Sequence, residues 1–188
     1  MAEVSSSKAA RTLALSGIRG RAASVSIIPA APAERVSLRA RPEDVTALSS
    51  ALELELPTKP KTSATNNMRT ALWLGPDEWL VIGDGEGESG LMAACAASGV
   101  LCSAVDVSHR NTAIWVEGAG AAAAINAGCP LDLSLKAFPV GACTRTIFGK
   151  VEIVLLRTGE ESFRVEVWRS FSDYAYALLA EGALDATF

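Results

Sequence analysis

The chain carries one histidine, His109, and four cysteines, Cys95, Cys102, Cys129 and Cys143, among 188 residues. No two of these cysteines form a C-x-x-C pair. A zinc site takes about four nitrogen or sulfur ligands at close spacing, so this set points to no metal centre. Scattered cysteines suit buried, reduced thiols in a cytoplasmic protein. Positive charge is also scarce. Lys and Arg total 17 against 21 Asp and Glu, giving a net charge of −4 and a pI near 5.1. A nucleic-acid binder needs a basic face to displace counterions from phosphates, so no nucleic-acid partner is expected. Nowhere do about 18 apolar residues run together, which excludes a membrane-spanning helix as an expectation. Met1 to Gly20 carries Lys8, Arg11 and Arg19 without a continuous apolar stretch, and does not read as a signal peptide.

What is present describes a globular chain. Hydrophobic residues make up 49% and charged residues 20%, the balance of a folded domain. A chain of this length buries roughly 70% of its unfolded surface and needs no disulfide or metal staple. Residues 1–20 read as a flexible tail and 21–188 as one domain. A division of that domain into two lobes, 21–105 and 106–188, stays open.

Local patterns predict the elements. Ser24 to Ile28 is rich in β-branched residues and predicts a strand. Glu34 to Arg39 alternates charged and apolar side chains, with Val36 and Leu38 on one face, and predicts a half-buried strand. Pro42, Glu43 and Asp44 suit the first turn of a helix whose apolar face is Val45, Leu48 and Leu52. Pro57 to Asn67 reads as a loop. Thr70 to Ile82 reads as a hairpin turning at Gly75-Pro76-Asp77. A helix over Leu91 to Ser98, a strand over Val100 to Val107, a turn over Ser108 to Asn111 and a strand over Thr112 to Val116 follow. Ala119 to Ala127 predicts a helix stopped by Gly128 and Pro130. Thr144 to Phe148, Val151 to Arg157 and Phe163 to Trp168 predict three consecutive strands. The last helix is expected to begin at Ser170, with Asp173 completing an acidic capping box, and to end at Gly182. The order predicts an α+β fold, mainly antiparallel sheets with helices packed on one side.

Candidate chemistry is sparse. Gly85-Glu86-Gly87-Glu88-Ser89-Gly90 is a literal G-x-G-x-x-G between a predicted strand and a predicted helix. Asp84, Glu86 and Glu88 would cancel the positive field that holds a pyrophosphate at a helix start, so a solvated turn is the better reading. Ser108 and His109 adjoin on one turn and point apart, whereas a hydrolase triad needs them converging from different elements. Lys150 and Glu152 stand two apart on one strand face and suit an exposed ion pair. A general acid or base role for Glu152 would need burial. Asp106 to Glu181 thus reads as a compact soluble α+β unit without a catalytic constellation of its own. Trp73, Trp79, Trp115 and Trp168 are many for so few aromatics. Trp168-Arg169-Ser170-Phe171 sets an aromatic and an arginine at the mouth of a helix, a pattern that suits a partner anchor.

Three segments carry a family resemblance. They are Ala71-Leu-Trp-Leu-Gly-Pro-Asp-Glu-Trp-Leu80, Asp106-Val-Ser-His-Arg-Asn-Thr112 and Phe163-Arg-Val-Glu-Val-Trp-Arg-Ser-Phe-Ser-Asp-Tyr174. Together they resemble the gamma subunits of heterotetrameric sarcosine oxidase, over roughly Val25 to Glu181. Asp106-Val-Ser-His109, Val116-Glu-Gly-Ala119 and Gly149-Lys-Val-Glu-Ile-Val154 are similar to the wider folate-binding aminomethyltransferase family of the glycine cleavage system. Members of that family carry a functional aspartate just after the glycine; here Glu152 is the nearest acid. The resemblance implies an aminomethyltransferase-like fold and a non-catalytic assembly role beside alpha, beta and delta subunits, chiefly the alpha-type chain. The whole complex would demethylate sarcosine oxidatively to glycine, giving formaldehyde or methylene-tetrahydrofolate and hydrogen peroxide. FAD, FMN, NAD, zinc and tetrahydrofolate are implied for the complex and none for this chain. No catalytic, cofactor-binding or metal residue is expected, and Trp168, Arg169, Phe171, Trp73 and Trp79 are the candidate partner contacts. A free-standing folate-binding aminomethyltransferase-like protein is the alternative.

Overall fold

The computed structural model describes residues 13–18, 20–22, 24–85 and 90–186. Eleven strands and four α-helices follow along the described chain. The strands are β1 (Gly20–Arg21), β2 (Ser26–Pro29), β3 (Ala33–Ala40), β4 (Ser63–Asn66), β5 (Arg69–Gly75), β6 (Glu78–Asp84), β7 (Cys102–Asp106), β8 (Asn111–Glu117), β9 (Cys143–Phe148), β10 (Val151–Gly159) and β11 (Ser162–Trp168). The helices are α1 (Val45–Ala51), α2 (Leu91–Ala97), α3 (Ala121–Asn126) and α4 (Ser172–Asp185). One sheet has the order β4-β5-β6-β3-β7 and the other β1-β2-β8-β11-β10-β9. Every pairing between these strands is antiparallel.

The period of two decides which side chains go where. On β3, Val36, Leu38 and Ala40 face one way and pack with Val45, Leu48 and Leu52 beside α1 and with Leu91 and Cys95 of α2. On β11, Phe163, Val165 and Val167 join Ile114 and Val116 of β8 against Ala121, Ala124 and Ile125 of α3 and Ala175, Leu179 and Ala183 of α4. A third cluster joins the inner faces of the two sheets: Leu72, Leu80 and Ile82 from one, Cys143, Val154 and Leu156 from the other. The result is four layers, helices outside and two sheets face to face inside. Each sheet therefore carries helices on its own outer face, which corrects the expectation that all helices share one side. β3 is correspondingly not half-solvated: Arg35, on its second face, is 2% exposed.

Three more boundaries depart from the sequence expectation. Ser63 to Asn66, expected as loop, is β4, paired with β5 through Asn66↔Arg69. Asn67 takes φ +52° in the two-residue turn, a conformation that asparagine tolerates better than most residues. The final helix is preceded by a 3-10 turn over Arg169–Phe171, and no side chain caps its start. Ser172 Oγ donates instead to Arg169 O at 2.8 Å, so the Ser170–Asp173 capping box is absent. Gly182 lies inside α4, which runs on to Asp185. A Cβ there would stand 2.5 Å from Ala124 O. The glycine marks a close crossing of α3 and α4, not a stop. The Gly85 to Gly90 motif falls largely on residues 86–89, outside the described residues.

Lobe boundaries do not follow the sheets simply. β1 and β2 precede residue 30, yet they extend the sheet made by β8 to β11. No helix among the described residues is long and apolar enough to cross a membrane.

Candidate functional site

The 3-10 turn at the end of β11 swings Trp168 and Phe171 onto one face. Their rings stack with centroids 6.1 Å apart and planes 22° from parallel. Both are about two-fifths exposed, 41% and 42%. The Arg110 guanidinium lies 5.0 Å from the Trp168 ring centroid, within range of a cation–π contact. The Arg169 N–H donates to Arg110 O at 2.7 Å and pins the two segments together. Tyr174, also exposed, follows one turn along α4. An exposed pair of large rings with an arginine across one face is the composition enriched at protein interfaces.

The other tryptophans sit differently. Trp79 is 1% exposed and its indole N–H donates to Pro57 O at 2.8 Å. It anchors the Pro57 loop beneath the first sheet and has no surface to offer a partner. Trp73, half-buried, packs against the same cluster. Arg169 is half-buried at the rim of a separate cavity that also touches Ser108 and His109.

Between the sheets lies a buried charged cluster, on the strand faces turned away from the helices. Arg35 is bidentate on Glu166, Nε to Oε2 at 2.6 Å and Nη2 to Oε1 at 3.2 Å. Its Nη1 donates to Ala33 O at 3.0 Å. Arg164, from the same face of β11, donates Nε to Glu166 Oε1 at 2.8 Å. Both arginines and the glutamate are buried. Arg157, 3% exposed, sits on the other face of its sheet. It donates to Leu133 O, Phe138 O and Glu160 O and lies 4.6 Å from the Phe163 ring centroid. Burial pulls its pKa down from the ordinary arginine value. The signal for these residues was in the sequence only as arginines inside apolar strands.

The residues weighed for chemistry do not converge. Ser108 Oγ donates to Asp106 Oδ1 and accepts the Arg35 backbone N–H at 2.9 Å. His109 is exposed beside it on the turn. Glu152 is not paired with Lys150; it lies 3.7 Å from Arg145, which also holds Glu78. Lys150 falls in the turn before β10, which breaks the two-residue register expected for that pair. Of the cysteines, Cys95, Cys129 and Cys143 are buried and Cys102 is half-buried, all as free thiols. Burial pushes the Cys143 thiol up to about 12 and the Cys95 thiol up to about 11. Among the described residues, no three His, Cys, Asp or Glu side chains are grouped to hold a metal ion.

Comparison with known proteins adds a family. The model of the "Sarcosine oxidase, gamma subunit family" matches residues 38–185. A sarcosine oxidase subunit gamma of Arthrobacter sp. is 35% identical over 137 residues, 71% of this chain and 67% of that one. A second, from Corynebacterium sp. (strain U-96), is 33% identical over 144 residues, 74% and 70% of the two chains. Among solved structures, the heterotetrameric sarcosine oxidase from Corynebacterium sp. U-96 in complex with pyrrole 2-carboxylate contains a chain that superposes with a TM-score of 0.81. That match has 26% identity and covers 87% of this chain and 86% of the other. Glycine cleavage system aminomethyltransferase T from Bartonella henselae aligns with a TM-score of 0.65 at 16% identity, covering 84% of this chain and 45% of the other. That second likeness is one of fold alone.

Proposed function

The chain belongs to the sarcosine oxidase gamma subunit family, and on that premise we propose that it works as the non-catalytic assembly subunit of a heterotetrameric sarcosine oxidase. The complex oxidises the N-methyl group of sarcosine, releasing glycine, with the one-carbon unit leaving as formaldehyde or passing to tetrahydrofolate and oxygen reduced to hydrogen peroxide. In this proposal alpha, beta and delta chains hold FAD, FMN, NAD and zinc, and the gamma chain docks chiefly on the alpha-type chain. The supporting observation is the extent of the structural match. At a TM-score of 0.81, nearly the whole described fold has a counterpart in a chain of a solved heterotetramer.

A folate-handling role for this chain finds no support in its geometry. Glu152, the acid nearest the position of the transferase aspartate, has a side chain 54% exposed and ion-paired to Arg145. A proton-transferring carboxyl needs a shielded setting that moves its pKa towards neutrality, and this one lies on the rim. We therefore assign no tetrahydrofolate to this site. The free thiols support a cytoplasmic setting, where disulfides do not persist.

We place the alpha-type contact on Trp168, Phe171 and Arg110, with Arg169 bracing them. Co-expression with the other three subunits tests the whole reading. The expected result is one stoichiometric complex by size exclusion, with this chain burying about 1,600 Å² or more against its neighbours. Trp168→Ala with Phe171→Ala should strip the chain from the complex while leaving it folded, at a cost of about 1–3 kcal/mol to its own unfolding from the lost stack and cation–π contact. A chain that stays monomeric beside its three partners refutes the assembly role. A double variant that assembles like the parent refutes the placement of the contact.

A further inference from the structure

Two guanidiniums share one carboxylate between the sheets, and the arithmetic leaves a positive charge. Arg35 takes both Glu166 oxygens, while Arg164 has a hydrogen bond only through Nε, to Glu166 Oε1. Arg164 Nη2 lies 2.8 Å from that same oxygen, close enough for attraction, but it is buried and aligned on no acceptor. Arg164 as a residue is 7% exposed. Its guanidinium lies 5.2 Å from the Trp115 ring centroid, a cation–π distance.

Arg164 and Trp115 form one wall of a cavity of about 490 Å³ between the sheets. Ile82 and Leu156, both from the apolar layer joining the sheets, line its floor. Thr65 and Thr70, whose hydroxyls are 3.2 Å apart, border it from β4 and β5. The volume is that of a small-molecule pocket, and a few polar groups among apolar walls is the usual composition of one. The other charged group, Arg145 of β9 with Glu78 and Glu152, is more exposed and has two carboxylates to one guanidinium. An arginine edge with donors to spare suits a planar carboxylate in particular, because the fork matches its two oxygens.

We propose that this cavity binds a small organic carboxylate. Its anionic group pairs with the Arg164 guanidinium, which turns Nη2 from the Glu166 side towards the cavity, and its flat apolar body lies against Trp115, Ile82 and Leu156. The proposal does not rest on the assembly proposed above. Inorganic phosphate, which has charge but no apolar body, should bind far more weakly than benzoate.

The test is a titration of the full-length chain with benzoate and, separately, with inorganic phosphate, by calorimetry and by NMR of indole and guanidinium N–H signals. Expected are saturable benzoate binding and selective shifts of the Trp115 indole and Arg164 guanidinium signals. Arg164→Met should weaken benzoate about ten- to a hundredfold, the range for losing a charge-assisted hydrogen bond. Arg164→Lys, which keeps the charge but not the fork, should fall between. Absence of benzoate binding overturns the proposal. So does binding that Arg164→Met leaves unchanged, or parent-chain shifts that map elsewhere, a reading that needs no variant to fold.

Discussion

Replacing Glu166 by Gln should be far more damaging than replacing Arg164 by Met, although both break the same contact. Glutamine keeps the shape and one acceptor oxygen but removes the one negative charge that, among the described residues, touches two buried guanidiniums, whose residues are 2% and 7% exposed. Removing one partner of a buried ion pair costs about 3–5 kcal/mol, because the remaining charge is uncompensated. Against a total stability of about 5–15 kcal/mol, this is a large share. For a chain of this size each kcal/mol lowers Tm by about 2–4 °C, so the expected fall is roughly 6–20 °C. Arg164→Met works the other way. It deletes the surplus charge and leaves Arg35 bidentate on Glu166, so the expected cost is within about 1 kcal/mol. Urea unfolding of each variant by circular dichroism gives the two numbers. Equal costs, or a larger cost for Arg164→Met, would refute the claim that one carboxylate balances two cations between the sheets.

Other perturbations follow from single contacts. Gly182→Val should destabilise by about 1–3 kcal/mol, since its branched side chain must push Ala124 of α3 away from α4; a neutral effect in denaturant unfolding would mean the crossing is looser than drawn. Trp79→Phe should cost about 1–3 kcal/mol by the same assay, because it leaves the buried Pro57 carbonyl without its donor. At pH 8, iodoacetamide should label half-buried Cys102 first and spare Cys95 and Cys143, read by mass spectrometry of native protein. The raised thiols also set an alkaline limit. Cys143 ionises at an ordinary 9.0 when unfolded and about 12 when folded. Its contribution is therefore intact below pH 9 and is lost as the pH rises towards 12. Unfolding midpoints measured from pH 8 to 11 should decline, and less so in Cys143→Ala, if that variant folds.

Strands whose apolar residues alternate were legible from the chain. Val36 and Leu38 chose a face that the packing kept, and the strand expected over Phe163 to Trp168 buries Phe163, Val165 and Val167 on one side. What alternation could not convey was the fate of the opposite face. Arg35 fell on the side of a strand expected to be half-buried, no face was assigned to Arg164 or Glu166, and only the second sheet encloses all three. β4 was missed for a related reason: Ser63-Ala-Thr-Asn has no apolar period, and its pairing with β5 is fixed by the Asn67 turn. Gly182 read as a stop because glycine often ends helices, whereas here α3 requires its missing side chain. The placement of the tryptophans was half legible. Trp168 and Phe171 are adjacent on one exposed face, while Trp79, equally prominent in the sequence, is spent on holding Pro57.

The β1–β2 pair imposes an order on the nascent protein. Every strand of the β3–β7 sheet is complete by Asp106, so that sheet can close while the rest is still being made. β2 must wait for β8, whose pairing with it begins only when residues 114–117 emerge, roughly 85 residues later. At about 5–20 residues per second, the delay is roughly 4–17 s. Until then, Val25 and Ile27, 2% and 1% exposed once folded, lack the β8 strand that covers them. The topology thus lets one sheet be complete in sequence while β2 still lacks its partner, and the sheet that carries Trp168 is the later one to be completed.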